Sequence, residues 1–242
     1  GAEYTELTWN ETAENYTPTE YGNLVPVGRR AIINDDLRGI QVIPKLLAAS
    51  AVLTLNEYVS NLFTQNSGNG PTLADTVQVF NAASHQDNRG TAPLTRSNLL
   101  DARKVIMKML NDASKRIGLM PRYLLVPIDL DATAWELLNS QMDPESANNT
   151  LNLLRDNAQG MRAPIVVPNW TDVNNWYLMC DPAQIASIEL GFLFGREVPE
   201  LLSQQDPASG MVFTNDVMNY KVRWDFGGDW VDYRGSYGSV VA

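Results

Sequence analysis

The chain runs Asn34-Asp35-Asp36-Leu37-Arg38-Gly39-Ile40, then through Pro44 into Lys45-Leu46-Leu47-Ala48-Ala49-Ser50-Ala51-Val52-Leu53-Thr54-Leu55-Asn56-Glu57-Tyr58-Val59-Ser60-Asn61-Leu62-Phe63. Leu37, Ile40, Ile43, Leu47, Ala51, Leu55, Tyr58 and Leu62 recur at spacings of three and four, the signature of one helical face. Asn34 is a suitable N-cap, because its side-chain oxygen accepts from orphan N–H groups one turn on. Asp35 and Asp36 set negative charge at the positive end of the helix dipole. Pro44 cannot donate to residue 40, so the helix kinks or restarts there. A helix over 34–65 would span about 45 Å, wider than a small globular domain. Such an element suits a scaffold for something extended better than the wall of a compact enzyme.

Upstream, residues 1–33 lack helical periodicity and spread their apolar residues thinly. Glu20-Tyr21-Gly22-Asn23 reads as a turn, and Leu24-Val25-Pro26-Val27 and Arg30-Ala31-Ile32-Ile33 read as extended. The segment is either a flexible arm or an extension that becomes ordered on another chain. Trp9, Tyr16 and Tyr21 suit an interface, where aromatic residues are enriched, or packing on the chain's own body. Arg29, Arg30, Asp35 and Asp36 are candidates for ion pairs between subunits, or for satisfaction within the chain.

Downstream, 65–71 is dense in turn formers. Ser97 is expected to cap a second helix to about Arg116, with Leu99, Ala102, Ile106, Met109, Leu110 and Ala113 as its apolar stripe and Gly118 as its stop. Tyr123-Leu124-Leu125-Val126-Pro127 reads as a buried strand, and Asp131 as the cap of a short helix to about Asn139. Strand-like runs follow at 165–167, 176–179 and 188–192. Tyr220, Val222, Trp224 and Phe226 alternate with Lys221, Arg223 and Asp225, the period of a half-buried strand. Gly227-Gly228 then offers a tight turn, with 230–234 returning as a hairpin partner. The expected class is mixed helix and sheet, α+β.

The totals exclude several classes of function. The 242 residues are enough for one large domain or two small ones. The net charge of −10 argues against a nucleic-acid groove, since phosphates are repelled. No apolar run approaches the roughly 18 residues of a membrane span, and no secretory signal opens the chain. Gly1 points to processing, trimming or an expression scar. Cys180 is the single cysteine, so no internal disulfide forms, in keeping with a reducing cytosol.

Chemistry is scarce. A nucleophile needs a tuned base beside it, and His85, the single histidine, lies in a loop with no Gly-x-Ser-x-Gly in the chain. It reads as a structural hydrogen-bonding residue. Cys180 ends an apolar run and reads as a small buried hydrophobe. One His and one Cys do not make a zinc site of the usual kind. The pairs Asp35–Asp36 and Asp129–Asp131 lack the calcium-loop spacing, and no phosphate-binding glycine motif occurs. No catalytic, cofactor-binding or metal residue is expected, and no cofactor. An α/β hydrolase or binding protein with an unmarked site is the competing class.

Taken in order, several segments resemble the Mu-like family of bacteriophage major head proteins. These are Tyr21-Gly22, Val27-Gly28-Arg29-Arg30-Ala31-Ile32-Ile33-Asn34-Asp35-Asp36-Leu37, Val79-Phe80-Asn81 with His85, and Leu119-Met120-Pro121-Arg122-Tyr123-Leu124-Leu125-Val126-Pro127. Ala134 with Leu137-Leu138, Trp176-Tyr177-Leu178 with Asp181-Pro182, Lys221 to Gly227, and Asp232-Tyr233-Arg234-Gly235 continue the series. The resemblance implies the major capsid fold shared by tailed phages and herpesviruses. Residues 1–33 would be the N-terminal arm and extended loop, and 34–119 the spine helix and peripheral domain. The axial domain would be 120–215, with 216–242 returning as strands to the peripheral domain. It also implies a structural role without enzymatic activity: self-assembly as hexamers and pentamers into an icosahedral shell of the virion, around DNA held without sequence-specific binding. Assembly would take place in the host bacterial cytoplasm, with portal, scaffold, maturation protease or cement protein as further partners and no membrane. A portal or tail ring protein is the alternative structural reading.

Overall fold

The computed structural model describes residues 14–34, 39–142, 151–152, 154–155 and 160–241. Trp9, Asp35 and Asp36 lie outside the described residues. The chain divides into two compact units, one of residues 16–64 and 189–228, the other of 1–15, 65–188 and 229–242. The sequence-derived boundaries at 33/34, 119/120 and 215/216 each fall inside a unit.

In the first unit, β1 (Thr19–Gly28) pairs antiparallel with β8 (Val217–Trp230), from Thr19 opposite Phe226 to Gly28 opposite Val217. β6 (Ile188–Phe192) also pairs with β8, and β7 (Glu200–Gln204) takes residues 219–223 of it. Pro26 sits in β1 because that strand lies at the sheet edge, where a missing N–H breaks no ladder bond. The turn expected at 20–23 is instead mid-strand. Gly22 is there because a Cβ would sit 2.8 Å from the Val222 carbonyl oxygen of the next strand.

The expected hairpin at Gly227-Gly228 does not form either, and β8 runs straight through it. A Cβ on Gly227 would lie 2.9 Å from Pro18 Cα, and one on Gly228 would meet the Glu189 carbonyl. These glycines admit neighbouring backbone rather than reverse the chain.

The segment Arg29–Ile33 is a single short helix, α1, not a strand, and Asn34 is its C-cap rather than an N-cap. A short 3₁₀ turn, Gly39–Val42, leads into α2 (Ile43–Gly68). Pro44 therefore falls in the first turn of a restarted helix, where a missing N–H is harmless. Helical dihedrals break at Gln65–Ser67, with Asn66 and Ser67 left-handed. The regular part, 43–64, is about 33 Å long. Its predicted stripe does face inward: Leu47 and Ala51, with Ile43, Leu55 and Tyr58, pack on Val222, Trp224 and Phe226 of β8. By length and composition this helix is apolar enough to cross a membrane, contrary to the sequence expectation. Packing on the sheet covers only one side of it, and Leu46, Val52 and Leu53 on the rest are exposed.

The second unit holds a five-stranded sheet in the order β2 (Arg89–Gly90), β9 (Ser236–Ser239), β5 (Trp176–Cys180), β3 (Pro121–Val126), β4 (Ile165–Val166). β3 and β9 each run antiparallel to β5. Two helices complete the core, α3 (Arg96–Lys108) and α4 (Asp131–Asn139). Leu99, Ala102 and Ile106 of α3 and Ala134, Leu137 and Leu138 of α4 pack with Leu124, Val126, Trp176 and Leu178. Thr95, not Ser97, caps α3, its hydroxyl accepting from Asn98 N–H at 3.2 Å. α3 ends eight residues short of Arg116, since Met109 turns extended and Leu110 bridges back to Arg116. Asp131 lies in the first turn of α4 without capping it.

Candidate functional site

The strongest surface feature of the first unit follows directly from β6. Residues Leu193–Gly195 make one tight turn in which Phe194 adopts φ +55°. A bulky side chain rarely tolerates that conformation, which costs about 1–2 kcal/mol. Even so, Phe194 is 86% exposed, so no burial of its ring offsets the strain. The turn is strapped to the sheet behind it. Arg196 and Arg223 both reach the Glu200 carboxylate, at 2.9 and 2.6 Å, and the Trp224 indole N–H donates to the Arg196 carbonyl at 3.1 Å. The hydrogen bond from Arg223, joined by the charges of both arginines, holds the Glu200 carboxyl below its ordinary range. A strained aromatic ring is thus held rigidly toward solvent.

More apolar surface in the same unit is left open. Phe213 on α5 (Gly210–Asn215) is 73% exposed, and Val198 is also exposed. On α2, Leu46 and Leu53 point away from the inward stripe, Leu53 being 64% exposed. Sequence reasoning missed these residues, although a signal was present. Leu46, Ala49 and Leu53 form a second apolar row beside the first, and a helix apolar on two sides is expected to be covered on both.

The predicted contact residues are distributed as follows. Tyr21 stacks on Phe226 at 4.4 Å and meets Tyr58 edge-on, within its own unit. Tyr16 donates its hydroxyl to Glu189 at 3.3 Å. Arg29 lies 3.9 Å from Asp216, with both side chains largely exposed. Arg30 is exposed and makes no ion pair among the described residues.

The second unit contains the groups with the most chemical character. His85 is 1% exposed. Its Nδ1 lies 2.9 Å from the Val79 carbonyl oxygen and its Nε2 2.7 Å from Asp75 Oδ2, both within hydrogen-bond distance. Its ring stacks on Tyr233 at 3.9 Å. Burial pushes the Asp75 carboxyl up, but the His85 and Val77 hydrogen bonds with the His85 charge outweigh it and hold the group below its usual range. Asp75 also borders a hollow of about 390 Å³ with Glu14, Asp112, Asp232 and Arg234. Arg234 already pairs with Asp112 at 3.0 Å and Asp232 at 3.4 Å. Burial raises the Asp232 carboxyl despite Arg234. The imidazole braces two turns of the segment between α2 and β2, in keeping with a structural histidine.

Cys180 is buried, and burial, with Asp181 nearby, pushes its thiol up to about 12, far from a reactive thiolate. Among the described residues no group of three or more His, Cys, Asp or Glu is placed to hold a metal. The exposed apolar side chains offer surfaces for association.

Comparison with known proteins agrees with that character. No curated protein sequence matches the chain significantly. Solved structures from Gordonia phage Cozz (TM-score 0.54, 12% identity, covering 100% of this chain and 78% of that one) and Mycobacterium phage Patience (0.55, 12%, 100% and 77%) share its fold. So does a phage-related protein from Bordetella bronchiseptica RB50 (0.54, 13%, 93% and 73%). Because residues 11–239 match the family described as phage capsid protein, the chain belongs to that family, and its role is structural, as a major capsid protein of the virion.

Proposed function

We propose that copies of this chain assemble as hexamers and pentamers into the icosahedral head of a tailed phage of the Mu-like type, enclosing packaged DNA. The observation that carries this reading is Phe194, strained and presented to solvent on a braced turn. A subunit that stayed alone would gain nothing from that conformation, whereas a neighbour's pocket would supply the burial that offsets it. The exposed row on α2 and the exposed Phe213 support the same reading, because association buries such surface.

In this arrangement the unit built on α2 acts as the peripheral domain and the unit of 65–188 and 229–241 as the axial domain. Residues 1–33 serve as the arm and extended loop. Tyr16, Arg29 and Arg30 are candidate inter-subunit contacts of the chain, with Trp9, Asp35 and Asp36 alongside them. Tyr21 is proposed to touch a neighbour only through the edge its own packing leaves open. Portal, scaffold, maturation protease and cement protein are the further partners, met in the host cytoplasm during assembly. DNA would be enclosed without sequence-specific contact, as the net charge of −10 favours.

Negative-stain microscopy and sedimentation of the purified chain test the proposal. Closed shells, or hexamers and pentamers, are expected, and Phe194→Ser is expected to lose them while keeping the wild-type circular dichroism. Rings of one fixed order would instead favour a portal or tail protein. A monomer at all concentrations would overturn the shell reading.

A further inference from the structure

In the second unit, among the described residues, basic side chains without an ion pair gather at one end of β3 and acidic ones at the other, and the topology fixes which end is which. β3 is six residues long, about 20 Å. The segment 109–118, bridged from Leu110 to Arg116, feeds its N-terminal end. Gln86 pins this segment there through its side-chain amide, accepting from Leu110 N–H at 2.7 Å and donating to Leu110 O at 3.1 Å. α4 starts just past the C-terminal end of β3, through the short 3₁₀ turn Ile128–Leu130.

At the first end, Lys108, Lys115 and Arg116 are exposed and make no ion pair among the described residues, beside an exposed Ile117. The one acid of that segment, Asp112, is already engaged by Arg234. At the other end, Asp129 and Asp131 are exposed and likewise without an ion pair among the described residues. Ile128 is exposed beside them, and Trp135, 56% exposed, lies on the outer face of α4 one turn in. Each end therefore joins unpaired charge of one sign to an uncovered apolar side chain, which is the composition of an interface patch with its rim.

We propose that the partner of each end is the opposite end of a second copy of this chain. In this head-to-tail contact Asp129, Asp131 and Trp135 of one subunit meet Lys115, Arg116 and Ile117 of the next. Charge complementarity excludes the pairing of either end with itself. Head-to-tail repetition sets acid against base at every step, and where its rotation closes it gives the ring that the shell reading requires. The inference rests on the shell reading and adds to it the surface that joins neighbours within one ring.

A charge swap tests it in the full chain. Asp129→Lys with Asp131→Lys, and separately Lys115→Glu with Arg116→Glu, should each raise the concentration needed to form rings or shells by about tenfold or more. All four changes together should restore assembly toward the wild-type concentration, because the complementary contact is rebuilt with its signs exchanged. A Trp135→Ala variant should weaken assembly without that rescue. All these sites are exposed, so circular dichroism and the thermal midpoint of the unassembled chain should stay unchanged and exclude misfolding. Should both double variants assemble like wild type, or the quadruple variant stay as defective as its parents, the contact is wrong while the shell reading stands. If the wild-type chain itself forms no ring or shell, it is the shell reading that fails.

Discussion

At the scale of single residues, backbone geometry says more than residue type. Phe194 and Gly195 are consecutive left-handed positions, yet only the second has a side chain suited to it. Replacing Phe194 by Gly removes a strain of about 1–2 kcal/mol and adds unfolded-state entropy worth about 0.5–1 kcal/mol. The unassembled Phe194→Gly chain should therefore gain up to about 1.5 kcal/mol, read as a higher midpoint in urea unfolding. Gly227 is the opposite case. A Cβ there meets the backbone of Pro18 and Thr17 at 2.9 Å, and backbone cannot swing aside as a side-chain tip can. Gly227→Ala should cost about 1–3 kcal/mol in the same measurement. Nothing in the dipeptide Gly227-Gly228 distinguishes a turn from a close approach. The distinction depends on Pro18, more than two hundred positions earlier, lying against it.

At the scale of elements, α2 separates two roles along one helix. Leu47 faces Val222 and Trp224 and is buried, whereas Leu53 is exposed. Leu47→Ala should lower the stability of the isolated chain by about 2–5 kcal/mol. Leu53→Ala should change it by less than about 0.5 kcal/mol and show its effect in shell formation instead. The loop pair joined by His85 and Asp75 gives a pH dependence. The folded chain holds the Asp75 carboxyl below its ordinary value, so its contribution is fully present above the unfolded value of about 4. That contribution is lost as pH falls through the lower, folded value. Acid unfolding followed by Tyr and Trp fluorescence should therefore show a steeper loss below about pH 4 in the wild type than in Asp75→Asn. The periodicity of the α2 stripe and of Tyr220–Phe226 was legible because each repeats one short spacing. β7 and α5 were not, since Glu200–Gln204 and Gly210–Asn215 lack a clean period, and β7 is held by pairing with β8.

At the scale of the whole molecule, a shell built from uncovered apolar surface has a thermal signature. Hydrophobic association is driven largely by entropy near room temperature and weakens on cooling. The concentration needed for assembly should therefore rise when the protein is cooled from 30 to about 5 °C, as light scattering would report; no change, or a fall, would point to contacts dominated by polar pairing. The amino-acid sequence by itself determined the mixed helix-and-sheet class, the inward face of its long helix and the inward face of its last long strand. All three depend on spacing between near neighbours in the chain. Only the tertiary structure decided that the first strand lies along the eighth, that Gly22, Gly227 and Gly228 admit backbone rather than reverse it, and that Phe194 is held out under strain. Each of those depends on contact between residues far apart in sequence, and local propensity carries no record of what a distant segment will bring alongside.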